Sequence, residues 1–202
     1  MSSPPRIEQQ CGLRERKKAK TRLSIQQQAM RLFAEQGYEN TTIEQIAEAA
    51  EVSPSTFFRY FPTKEDVVIR DDYDPLLASA FLEQPASLSP LAAMREAVRL
   101  VYGEVLAYDE QTTLRRIQLV WSIPSLRARQ VEGQIATMTM LTTAIAQRTG
   151  RSADEFAVRV FAGALVGGWI AAVERWVRSD GEERLIGLMD EALILLEEGL
   201  PL

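Results

Sequence analysis

Between Thr41 and Asp66 the sequence TTIEQIAEAAEVSPSTFFRYFPTKED contains three helix starts within 26 residues, and this spacing constrains the fold more than any other feature. Thr41 or Thr42 caps the first helix, and Thr41-x-x-Glu44 has the form of a capping box. Ile43, Ile46, Ala47 and Ala50 follow at i, i+3, i+4 and i+7, the stripe of an amphipathic helix. Ser53-Pro54 is the second start, with Ser as N-cap and Pro at the first helical position, where its missing N–H costs nothing. Pro62 stops that helix and Thr63 caps a third from Lys64. Two short helices joined by a tight turn are the layout of a helix-turn-helix.

The second of these helices has an unusual surface. Phe57 and Phe61 are four apart and share the inward face, which turns Ser55, Thr56, Phe58, Arg59 and Tyr60 outward or sideways. A solvated helix carries Glu and Lys at such positions. This one carries hydroxyls, aromatics and an Arg, with no acid from Ser53 to Thr63. That suits an element pressed against phosphates and base edges. A short core helix rich in aromatics is the other reading.

VSPSTFFRYFPTKEDV resembles the recognition-helix signature of TetR-family transcriptional repressors, and TTIEQIAEAAEV resembles the helix before it. The likeness extends back through MRLFAEQGYENTTIEQIA and covers roughly residues 14–68. It implies an all-α chain, with a helix-turn-helix DNA-binding domain at 13–66 and a helical ligand-binding and dimerisation domain at 67–202. The expected DNA contacts are Thr42, Ser53, Ser55, Thr56, Phe58, Arg59, Tyr60 and Lys64. Thr42 and Lys64 stand at helix starts on either side of the recognition helix, where they would meet phosphates. The family usually has Tyr where this chain has Phe58. The hydroxyl is missing here, and a sugar or a thymine methyl are the contacts left to that side chain.

Charge is divided unevenly. Residues 1–70 carry 11 Lys and Arg against 9 Asp and Glu, and residues 71–202 carry 12 against 19, which together give the chain its −5. Arg14, Arg16, Lys17, Lys18, Lys20 and Arg22 place six cations in nine residues against Glu15 alone. A local basic patch docks on phosphate even when the whole protein is acidic; a solvated charge run is the plainer reading. Residues 1–12 have no periodicity and read as a disordered arm. A first helix follows from Leu13 to Gln36, with Ile25, Ala29, Leu32 and Phe33 as its stripe and Gly37 as its stop.

Beyond residue 66 the pattern is helical throughout. The sequence predicts a break at Asp71-Asp72-Tyr73-Asp74-Pro75, then helices over 76–82, 89–108, 109 or 112 to 122, 125–149, 152–178 and 182–199. Asp109 or Thr112 starts one of these, and Ser152-x-x-Glu155 forms a capping box for another. The longest uncharged run, Val160 to Val173, has 14 residues, short of the ~20 of a bilayer span. It reads as a helix buried on all sides, and with no apolar leader segment the chain is expected in the cytoplasm, away from membranes.

The last two helices are the expected dimer surface, through Phe156, Val160, Gly163, Gly167, Leu185, Leu188, Met189 and Leu193; the protomer's own core is the competing use. The resemblance also implies an effector cavity in the second domain, and Tyr102, Trp121, Met138, Leu141 and Trp169 are its expected lining, although by spacing alone such residues are more often plain core. Their large apolar side chains point to a largely apolar small molecule. The stretch DDYDPLLASAFLEQP faintly resembles actinobacterial TetR-type regulators, some of which respond to acyl-CoA compounds.

Enzymatic chemistry has little footing. The chain has no His and one Cys, Cys11, which excludes a Ser/His/Asp triad, His ligands and a Cys-rich zinc site. No phosphate-binding glycine motif occurs, and no cofactor or metal is expected. The function implied is a ligand-responsive regulator, most simply a repressor, that binds double-stranded operator DNA as a homodimer. A helical interaction module whose first domain docks a protein partner is the alternative, and steep salt dependence of duplex binding separates the two.

Overall fold

The computed structural model describes residues 13–69 and 73–201, and every described element is an α-helix. The arm 1–12, with Cys11, and Asp71 and Asp72 of the expected break lie outside the described residues; the rest of that stretch, Tyr73 to Pro75, is not a break but the first turn of a helix. The chain divides into two compact units, 1–70 and 71–202.

The first unit holds α1 (Leu13–Gln36), α2 (Ile43–Ala49), α3 (Pro54–Tyr60) and α4 (Lys64–Ile69). Ile25, Ala29 and Phe33, each four residues from the last, bury one stripe of α1. Against it sit Tyr38, Ile46, Ala47, Phe57, Phe61, Val67 and Val68, all buried. Each large apolar side chain among them stabilises the unit by about 1.5–3 kcal/mol. Gly37 ends α1 at φ +86, the left-handed conformation an L side chain resists. A boundary after residue 66 cuts α4, which packs on α1 and belongs to the first unit.

The second unit holds α5 (Tyr73–Glu83), α6 (Pro90–Ser122), α7 (Pro124–Thr149), α8 (Phe156–Arg178) and α9 (Leu185–Glu197). Leu77, Phe81, Met94, Val98, Leu141, Leu165, Trp176 and Leu193 form the centre of its core. Arg148 donates to the carbonyls of Phe81, Gln84, Pro85 and Leu88, which closes the end of α5 and the connection after it.

Three expectations are corrected here. Neither Asp109 nor Thr112 starts a helix: α6 runs unbroken for 33 residues. From 104 to 122 there is neither Gly nor Pro, so nothing interrupts the hydrogen-bond ladder, and a capping residue caps only where a helix has already stopped. α8 begins at Phe156 rather than after Ser152. The Ser152 N–H does donate to Glu155 Oε1 at 2.9 Å, but the Ser152 hydroxyl accepts from Asp154 N, so the box closes a turn ahead of the helix. Finally, α8 is not buried on all sides: Phe156, Val160 and Gly167 face outward. Counting its tolerated charges, its 23 residues also reach the length and apolar character of a bilayer span. The uncharged run understates that, although core helices of soluble proteins pass the same test.

Gly181 fixes the α8–α9 connection. Its φ is +78, and a Cβ there would stand 2.7 Å from Leu114 Cδ2 of α6. The backbone therefore favours glycine, and a Cβ would have to displace the end of the buried Leu114 side chain.

Candidate nucleic-acid interface

The entry to α2 is capped by Thr42 rather than Thr41. The Gln45 N–H donates to Thr42 Oγ1 at 3.2 Å, and Gln45 Oε1 accepts from Thr42 N at 2.9 Å, a reciprocal box that uses Gln45 in place of Glu44. Thr41 is buried, and its hydroxyl donates to the Gly37 carbonyl instead. Gln36 joins the site by donating to Thr41 Oγ1 and Gln45 Oε1. The Thr42 side chain stays exposed, with its O–H proton not used by the cap.

The turn into α3 passes through Glu51 at φ +56 and is closed by Val52 N donating to the Ala47 carbonyl at 2.9 Å. Ser53 then caps α3 by accepting from Thr56 N, and its hydroxyl also bonds those of Ser55 and Thr56. The Ser53 hydroxyl is thus committed to positioning its neighbours.

Phe57 and Phe61 are fully buried, which sets the rotation of α3 about its axis. Ser55, Phe58 and Arg59, at i, i+3 and i+4, form an exposed stripe, with Pro54 exposed at the helix start and Thr56 and Tyr60 flanking it half-buried. Arg59 lies 5.5 Å from the Tyr60 ring centroid, and the Phe58 ring meets Phe57 edge-on at 5.7 Å. Phe58, the residue that lacks the family's hydroxyl, is 49% exposed at the centre of the stripe.

Lys64 has a role that local sequence did not reveal. Its Nζ donates to the carbonyls of Tyr38 at 2.9 Å and Thr41 at 3.1 Å and stands 4.2 Å from the Tyr38 ring centroid. The lysine therefore holds the loop that presents Thr42, and two of its three donors are engaged. Its partners are 23 and 26 residues away, beyond any local motif. Along α1, Lys17, Lys18 and Lys20 are exposed, and Arg22 lies 5.0 Å from the Phe61 ring centroid at the end of α3.

In the second unit Leu141 is fully buried, and Tyr102, Met138 and Trp169 pack half-buried on the same cluster. Trp121 is half-buried near the end of α6. The Trp169 indole N–H is buried without a protein acceptor. A separate, half-open crevice of about 240 Å³ lies among Pro90, Ile145, Thr149, Arg151, Ala157, Val158 and Phe161 and shares none of the expected lining residues.

The expected dimer surface divides. On α8, Phe156 is 81% exposed and Val160 51%, Gly163 is half-buried beside Met138, and Gly167 has open space where a Cβ would point. Leu185, Leu188, Met189 and Leu193 of α9 are instead buried in the protomer's own core, which corrects their assignment to an interface. Adjacent Gly168 lets α9 approach, with Ala192 Cβ at 3.4 Å from its would-be Cβ. What α9 leaves outward includes Leu195, 39% exposed.

Residues 25–70 match the model of the bacterial regulatory proteins of the tetR family, and residues 88–201 match the MftR C-terminal domain. The chain belongs to the TetR family of transcriptional regulators. It is 34% identical to the HTH-type transcriptional regulator TcmR of Streptomyces glaucescens over 91% of this chain and 85% of that one. It is 25% identical to the putative mycofactocin biosynthesis transcriptional regulator MftR of Mycobacterium tuberculosis, over 82% and 84%. Among solved structures it resembles Thermus thermophilus FadR, a TetR-family transcriptional repressor in complex with lauroyl-CoA, at TM-score 0.53 and 27% identity, covering 90% of this chain and 95% of that one.

Proposed function

We propose that the protein is a ligand-responsive repressor that binds a near-palindromic operator as a homodimer in the cytoplasm and is released by a largely apolar effector. The observation that carries this reading is the outward stripe Ser55, Phe58 and Arg59 on an acid-free α3. In this reading the stripe enters the major groove, with Arg59 on a base edge and Thr56 and Tyr60 at its sides. Thr42 and the remaining N–H of Lys64 meet phosphates across the groove, and Ser53 keeps the reading residues in place. The head comprises residues 13–66 with the rest of α4, and the remainder of the chain senses ligand and dimerises.

Dimerisation uses the stripe of α8, Phe156, Val160, Gly163 and Gly167, and the exposed Leu195 of α9 adds to it. An exposed apolar stripe of this kind needs a cover, and a two-fold copy of itself supplies one. The effector occupies the region of Tyr102, Trp121, Met138, Leu141 and Trp169. The lauroyl-CoA held by the Thermus FadR complex makes an acyl thioester the first compound to try. Its binding would favour a conformation whose two heads no longer match half-sites about 34–36 Å apart. No catalytic step, cofactor or metal enters this scheme.

The test is selection of duplexes from a random pool by the full-length protein, followed by titration of salt on the selected sequence. A palindromic consensus and a steep salt slope are expected, with lauroyl-CoA but not CoA lowering affinity. An absence of duplex binding would overturn the reading and leave an interaction module; a consensus indifferent to lauroyl-CoA would remove only the effector class.

A further inference from the structure

We propose that Phe58 reads the 5-methyl group of a thymine in each operator half-site, a specificity role that rests on the DNA-reading function proposed above. α3 and its C-cap carry three phenylalanines, and the head buries two of them completely, Phe57 and Phe61. The third, Phe58, stands 49% exposed between Ser55 and Arg59 on the outward stripe. Its ring is held: the edge-on contact with Phe57 is at 5.7 Å with planes 89° apart, and Phe57 in turn packs on Phe61 at 5.9 Å. The ring thus leans with one edge on the core of the head.

A phenyl ring has no donor or acceptor. Among the groups that base pairs display in the major groove, the C5-methyl of thymine is the apolar group that projects from the base edge; the rest are donors, acceptors and flat ring C–H. Set against any other group, the ring would strip water from a polar edge and return no hydrogen bond. Against the methyl it buries apolar surface on both sides. Sugars are apolar in part, but they line the strands, whereas Phe58 sits mid-stripe beside Arg59, which the function proposed above sets on a base edge.

The experiment uses the full-length protein and duplexes selected from a random 40-base-pair pool. The consensus is rebuilt with deoxyuridine in place of each thymine in turn, symmetrically in both half-sites, which removes one methyl and leaves the hydrogen-bonding pattern unchanged. The expected result is one thymine position where the change weakens binding about fourfold per half-site, or roughly fifteenfold for both, as the loss of one buried methyl implies. Phe58→Ala should bind the thymine and deoxyuridine duplexes alike. No sensitive thymine in the wild type, or the same discrimination in Phe58→Ala, overturns the proposal while the operator reading stands. If Phe58→Ala binds no duplex, Phe58→Leu decides: a smaller ratio supports the role and an unchanged one overturns it. A pool that yields no preferred sequence defeats the operator reading itself, and this inference with it.

Discussion

Two side chains at the interface separate reading from holding. Arg59 is exposed on the outer stripe of α3 and rests beside the Tyr60 ring, so its truncation leaves the core of the head untouched. Arg59→Ala should weaken operator binding by about 1–3 kcal/mol per half-site and relax preference at one base. Equal loss on operator and random duplex would make it a phosphate contact, and no loss on either would remove it from the interface. Lys64 differs because its ammonium already donates to two carbonyls of the 38–41 loop. Lys64→Ala should lower the salt slope of binding by about 1 and cost about 1–2 kcal/mol of stability, from two charge-assisted hydrogen bonds at a half-buried site. A lower melting temperature with an unchanged slope would assign it to the loop alone.

At the scale of elements, α6 and α9 are tied chiefly through Asp190, with a longer ion pair between Arg95 and Glu197 at 3.5 Å. Asp190 accepts from Arg95 Nε at 2.9 Å and from Arg99 at 3.0 Å. These bonds, that from Arg95 first, hold its carboxyl below the ordinary value. A carboxyl depressed in the folded state stabilises above its unfolded pKa of about 3.9, and that contribution disappears as pH falls through the folded value. Asp190→Asn should therefore cost about 1–2 kcal/mol near neutrality, since Arg95 and Asp190 are each about a quarter exposed and partly screened. The gap to wild type should close below about pH 4. Denaturant melts of both proteins across pH check this; a gap constant into strong acid would separate Asp190 from it. The turn between α8 and α9 offers a second test at this scale. Gly181→Ala combines a left-handed backbone with a Cβ against buried Leu114, and should destabilise by about 1–3 kcal/mol in the same assay. An unchanged midpoint would show that the turn relaxes freely.

For the whole molecule the question is what covers α8. Its outward stripe is apolar and small at Gly167, where a close helix crossing would need it small. Gly167→Glu adds bulk and an unpaired carboxylate at the centre of the proposed dimer contact. The variant should sediment as a monomer or aggregate, and should lose operator affinity with no DNA-facing residue changed, because a lone head forfeits the linked second half-site. Wild type that sediments as a clean monomer at micromolar concentration would refute the dimer.

Local chemistry was enough to read much of this protein. Pro54 behind Ser53, Thr63 before Lys64, and the glycines at 37, 150 and 181 mark helix ends because caps and positive φ act within a few residues. The bounds of α1 and the burial of Phe57 and Phe61 follow from the same short-range periodicity. What only the tertiary structure decided is where competing apolar faces end up. α9 carries enough Leu and Met for either a core or an interface, and packing on α6 and α8 assigned Leu185, Leu188, Met189 and Leu193 to the core. The Gly167-Gly168 pair looks uniform in sequence, yet one faces α9 and the other faces out. Lys64 looks like a free cation until the fold brings the carbonyls of Tyr38 and Thr41 to it. Such choices depend on which partner reaches a group first in space, and that is a property of the folded chain rather than of any window within it.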